Sequence, residues 1–198
     1  MKYIVTIITL LSILGASEYE EIKRDYFKSY DYEQMQKYNE AIKVLSPLYS
    51  KYPKGYTLNL RFGWLFYLDK KYADAIEHYK KASLINQYAL EPKLGLIRIY
   101  LATSSSQKAQ TLAYEILKVD YYNFYANLYA IQSLIAQNKT DIALEIIRKM
   151  LSIYPTNITF LEQLFIVYKQ TNSEYLQSVY EDILILDPNN VLVRSYQK

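Results

Sequence analysis

The sequence predicts an all-α chain built as a stacked array of helical hairpins, and three observations carry the prediction. Small residues recur at one interval: Ala41, Ala75, Ala109 and Ala143 each lie 34 residues after the last. Large apolar residues keep the same step nine positions earlier, at Tyr32, Phe66, Tyr100, Leu134 and Tyr168. Breakers are scarce, with 4 Gly and 5 Pro among 198 residues, while 51% of the chain is hydrophobic. A period of this size, pairing small with large positions, marks repeats in which each helical hairpin buries its apolar face on the next. Scarce breakers favour long helices joined by short turns.

The elements follow in order. Glu18 to Met35 form a first helix, with Tyr19, Ile22, Tyr26 and Tyr30 as its inward stripe. Tyr38 to Ser50 pair with it through Ala41, Ile42, Leu45 and Leu48, and Pro53 and Gly55 end the hairpin. The second hairpin joins Tyr56–Asp69 to Tyr72–Leu84. Gly63 sits inside its first helix at a cost of about 1 kcal/mol against Ala, which a close helix–helix approach would offset. The third hairpin covers Leu90 to Lys118. Pro92 falls in its first turn, where a missing N–H is harmless, and Thr103 to Ser106 offer a turn and an N-cap. The fourth runs from Asn123 to Ile153 and is closed by Pro155. The fifth runs from Ile158 to Leu186, but Gln177 stands where the alanine is due. Moving the frame back one residue recovers Tyr180, Ile183 and Pro188, so a turn one residue shorter is expected near Thr171-Asn172-Ser173. Asn190 to Tyr196 open a short C-terminal capping helix.

Before the repeats lies a leader. One lysine, an apolar run from Tyr3 to Leu14 and the small residues Gly15-Ala16-Ser17 have the form of a secretory signal peptide. The run is shorter than the roughly 20 apolar residues of a spanning helix. The expected organisation is a cleaved signal peptide at residues 1–17 and a repeat domain at 18–198, periplasmic or secreted. The alternatives are a leader left uncleaved as a membrane anchor, which would be the chain's only membrane contact, and a buried first helix.

Composition and motifs argue against catalysis. Net charge is +3 and the 23 basic residues are scattered, so no basic stripe for nucleic acid is present. The absence of Cys excludes disulfides and thiolate nucleophiles. No Gly-rich phosphate loop, HExxH helix or nucleophile elbow occurs. His78 is the single histidine. It reads as a solvated surface residue, and one His does not make an ordinary zinc site. The chain is read as a non-enzyme with no cofactor and no metal.

Phe62-Gly63, Phe66, Tyr72, Ala75, Tyr79 and Ala82 together resemble the tetratricopeptide repeat family. Tyr32, Tyr38, Ala41 and Pro53 match in the first unit, and Leu134, Ala143 and Pro155 in the fourth. Ser29, Ile97, Ile131 and Phe165 depart from it where the family favours Gly or another small residue, as does Gln87 in place of proline. The resemblance implies a right-handed α-solenoid of about five hairpins, with first helices lining a concave groove that binds peptides or extended segments. One face of those helices carries Tyr26, Tyr30, Arg61, Trp64, Tyr67, Arg98, Tyr125, Tyr129 and Gln132. Tyr, Trp and Arg are the residues that anchor interfaces, and Arg61 and Arg98 are expected to meet acidic groups. The same rings would also serve packing between hairpins. Leu60 and Trp64 stand where the family's carboxylate clamp needs polar residues, which disfavours recognition of an acidic chain terminus.

These features point to an exported, non-catalytic adaptor that holds a protein or peptide segment in an aromatic groove. The alternative is an assembly factor of an envelope complex that acts through its end faces, where Val191, Leu192 and Val193 would be exposed and oligomers would form. A regulatory subunit of an enzyme is the third reading.

Overall fold

The structure, a computed structural model, describes residues 18–196; the leader expected at residues 1–17 lies outside the described residues. The described residues are helical, without strands, and form two compact units that divide between Pro92 and Lys93. The first unit holds α1 (Lys2–Gln34, described from residue 18), α2 (Tyr38–Lys51), α3 (Tyr56–Leu68) and α4 (Tyr72–Ile85). The boundary falls in the first turn of α5 (Glu91–Ala102). The second unit continues with α6 (Ser106–Leu117), α7 (Phe124–Ile135), α8 (Thr140–Ile153), α9 (Ile158–Gln170), α10 (Leu176–Leu186) and α11 (Val191–Arg194). Among the described residues no helix is long and apolar enough to cross a membrane.

Packing follows chain order. In the first unit α1 lies on α2, α2 on α3 and α3 on α4. In the second, α6 lies on α7, α7 on α8, α8 on α9 and α9 on α10, and α7 also touches α9. The alanine series is why these helices nest. Ala41, Ala75, Ala109 and Ala143 are all fully buried. Of the large partners, Leu134 is fully buried and Tyr32, Phe66, Tyr100 and Tyr168 are half-buried. Gly63 marks a close approach: a Cβ there would lie 2.8 Å from the Tyr79 ring.

The 34-residue step is also written in the backbone. Gln36, Lys70, Ser104, Asn138 and Asn172 have φ between 51° and 59° and lie one step apart. Each is the left-handed residue that turns one helix of a hairpin into the next. Non-glycine residues seldom take this conformation, so it recurs because the turn geometry demands it. Ser105 stands at the N-cap of α6, but its side chain makes no capping bond; Ser104 beside it supplies the left-handed turn instead.

By its end the fifth hairpin has shifted frame by one residue, but the shorter turn expected near Thr171-Asn172-Ser173 is not found: the connection from α9 to α10 spans residues 171–175 and is longer than in the other hairpins. Asn172 is still in register, but α10 starts four residues after it, whereas earlier second helices start two residues after theirs. The change therefore lies in Ser173–Tyr175. Beyond it, Val179 and Ile183 face inward and Gln177 is exposed. The capping asparagines agree: Asn123 and Asn157 are 34 apart, while Asn157 and Asn190 are 33 apart, and each accepts a backbone N–H of the following helix.

Two expectations are corrected. On α1 the packed side runs through Ile22, Tyr26 and Ser29, and Tyr19 and Tyr30 lie at its edge, both exposed. Their amphipathic rings tolerate that edge position. At the C-terminus Val191 is 83% exposed but Val193 is fully buried and Leu192 half-buried, so the expected three-residue apolar end face is reduced to one side chain.

Candidate functional site

The candidate residues fall in both units and are taken unit by unit. In the first, Tyr26 and Tyr30 come from α1, and Arg61, Trp64 and Tyr67 from α3. Side chains about 31 positions apart meet across these two first helices. The Tyr26 hydroxyl is 3.4 Å from Thr57 Oγ1, and burial pushes the Tyr26 phenol above its ordinary value. The Arg61 guanidinium lies 3.9 Å from the Tyr30 ring centre. It is only 6% exposed. Arg61 forms an ion pair with Glu33 and donates to Ser29 Oγ at 3.1 Å. Glu33 takes a second bond, 2.6 Å long, from the Trp64 indole N–H. Trp64 in turn stacks on Tyr67 at 5.6 Å between ring centres.

The structure thus brings four of the five candidates into one cluster around a residue that sequence reasoning missed, Glu33. It also shows the work of Ser29, a departure from the small-residue preference: its hydroxyl accepts from Arg61. Arg61 has its charge met inside the protein, while Tyr30, Trp64 and Tyr67 keep ring surface toward solvent. In chemical terms this is an aromatic face backed by a neutralised charge pair.

In the second unit Arg98 on α5 donates from Nε to the Tyr129 hydroxyl on α7 at 2.7 Å. Tyr125 lies 6.2 Å from Tyr129, ring centre to ring centre, and is half exposed above it. Tyr129 is buried, and Gln132 one turn on is half-buried. Here too an arginine is held against a tyrosine across two first helices, with an outer ring left open to solvent.

His78 is not the solvated residue expected from sequence. It is 8% exposed and boxed by Phe62, Phe66 and Tyr49, with ring centres 5.0, 5.3 and 5.1 Å away. The register holds the missed signal, because Val44, Leu112 and Ile146 occupy the same position in other hairpins. Its Nδ1 lies 3.0 Å from Asn59 Oδ1. Asn59 Nδ2 donates to the carbonyls of Pro53 and Gly55, so its oxygen is the free acceptor and His78 Nδ1 carries the proton. Burial holds the imidazole below its ordinary value of 6.5, helped by Lys81 and opposed by Glu77 and Asp74.

A pH dependence follows. The unfolded chain takes the proton more readily than the folded one, so His78's contribution is intact above pH 6.5 and is lost as the pH falls below it. Urea unfolding of the wild type and of His78→Leu should give a stability difference that shifts in the variant's favour between pH 7.5 and 5. A difference that stays constant over that window would reject the assignment.

No protein-family model matches the chain, and no curated protein matches it. Solved structures do. A tetratricopeptide repeat protein from Parabacteroides merdae is 16% identical with a TM-score of 0.75, covering 89% of this chain and 70% of its own. YrrB, described as a TPR protein with an unusual peptide-binding site, is 11% identical with a TM-score of 0.65, covering 87% and 89%. MamA AMB-1 is 14% identical with a TM-score of 0.64, covering 91% and 100%. These likenesses establish the tetratricopeptide-repeat fold over most of the chain.

Proposed function

We propose that this tetratricopeptide-repeat chain is an exported, non-catalytic scaffold that holds an extended or helical segment of a partner protein against the first helices of its hairpins. The observation that carries the reading is the pre-set aromatic face of the first unit. Tyr30, Trp64 and Tyr67 stay in place because Arg61 and Glu33 hold them from behind. Rings fixed before binding lose little rotamer freedom on contact, which is how aromatic anchors gain affinity. The half-exposed Tyr125 over the Arg98–Tyr129 pair offers the same chemistry in the second unit. YrrB, with the same fold, is described as having a peptide-binding site. Export rests on the form of the leader alone, with retention as a membrane anchor as the alternative.

The test is cross-linking in the native compartment with the wild type and with Trp64→Ala plus Arg98→Ala. Each hot-spot truncation costs about 2 kcal/mol or more, so recovery of the partner should drop at least thirtyfold at unchanged helicity. Undiminished recovery would reject the groove. Fractionation of the tagged protein tests export: a wholly cytoplasmic pool would reject it.

A further inference from the structure

Away from the first-helix faces, the second unit contains a cavity of about 730 Å³ between the second helices α6 and α8. Its walls are Tyr114, Leu117, Tyr121, Ile142 and Ile146, and three charged residues, Lys118, Glu145 and Lys149, line it with them. The first unit has the equivalent gap, about 600 Å³, between α2 and α4, and there Lys81 occupies the same register position two periods earlier. Each lysine follows a glutamate by four residues, Glu77 in one case and Glu145 in the other.

The two lysines behave differently. Lys81 closes on Glu77 at 2.6 Å and donates to the Tyr49 hydroxyl, so its charge is met. Lys149 does not make the corresponding pair. It turns inward, donates to Asn127 Oδ1 at 2.5 Å and to the Tyr121 carbonyl at 3.3 Å, and lies 3.9 Å from the Tyr121 ring centre. Both hydrogen-bond partners are neutral. Glu145, exposed at the rim, leaves the cation without its register partner. Burial lowers the affinity of the Lys149 amine for its proton.

A partly desolvated ammonium in an apolar-walled cavity of small-ligand size wants an anion that brings its own apolar body. We infer that the α6–α8 cavity binds a small apolar carboxylate, its head group paired with Lys149 and its hydrocarbon part lying on Tyr114, Leu117, Ile142 and Ile146. Lys118 and Glu145 also line the cavity and offset each other's charge, which leaves the net preference at one negative charge. This site shares no residue with the proposed partner-binding face, so either stands if the other fails.

The probes are octanoate and octan-1-ol, titrated by calorimetry below the concentration of micelle formation. Octanoate should bind at least tenfold more tightly than the alcohol to the wild type. In Lys149→Gln, which keeps a donor for Asn127 but loses the charge, that advantage should disappear while the alcohol binds as before. Ile146→Trp, which fills the cavity and keeps the Lys149 charge, should abolish binding of both. Equal affinity for acid and alcohol in the wild type, or an advantage that survives Lys149→Gln, would overturn the inference. So would Lys149-dependent binding confined to peptides with a terminal carboxylate, which would make the occupant a protein segment.

Discussion

Replacing Glu33 with alanine should lower the unfolding free energy of the first unit by about 3–5 kcal/mol, the usual cost of breaking a buried ion pair from one side. The Arg61 guanidinium is buried, and Glu33 is the acid that neutralises it. The site has no reserve. Arg61 Nε already has no partner, and Ser29 supplies a single neutral oxygen. The change also strips the Trp64 indole of its 2.6 Å bond. Trp64 is the only tryptophan, so its fluorescence reports unfolding of this unit directly. Removing both charges is a different experiment. Glu33→Leu with Arg61→Met leaves nothing charged to desolvate, and such exchanges are often neutral or stabilising. The double variant should therefore recover most of the loss. A single-variant loss under about 1 kcal/mol, the range of an exposed pair, would show that the pair is not a buried one.

The same cluster shows where the sequence was readable. Helix positions, hairpin order and the buried alanines followed from a 34-residue step, because close nesting of hairpins forces small residues to recur at that interval. The contacts between first helices obey another offset, near 31: Tyr26 with Thr57, Glu33 with Trp64, Arg98 with Tyr129. That number depends on the tilt of one hairpin against the next and has no mark in the pattern. Glu33 thus looked like any acid near a helix end, and Arg61 like a free cation. His78 was misread for another reason. It lies one residue off the stripe of Ala75, Tyr79 and Ala82, which makes it look solvated, although three of its counterparts are apolar and one buried amide oxygen, on Asn59, is enough to admit an imidazole.

Register also sets the second large effect. Gly63→Ile should destabilise the first unit by about 3 kcal/mol, at the upper end for overpacking a core. The new Cβ would lie 2.8 Å from Tyr79 Cδ1 and Cε1 and 3.0 Å from Cγ. Cγ sits at the root of the ring, so no rotation of the phenol relieves the clash, and Tyr79 is itself buried. The gain from removing a helical glycine, at most about 1 kcal/mol, does not offset this. The remaining hairpins indicate the remedy. Sixteen residues separate Gly63 from Tyr79, and the same spacing joins Ser29 to Leu45, Ile97 to Ala113 and Ile131 to Ile147. Hairpin three thus carries the two sizes in reverse order, large on the first helix and small on the second. Tyr79→Ala alone should cost about 3–5 kcal/mol through the cavity it opens. Combined with Gly63→Ile it recreates the third hairpin's pair, and the double variant should be more stable than the sum of the two single losses by at least about 2 kcal/mol, within the coupling range for residues in contact. Chemical denaturation followed by circular dichroism measures all three. Strictly additive losses would mean that the two positions do not share one packing space, and that the glycine is there for a reason other than the tyrosine opposite it.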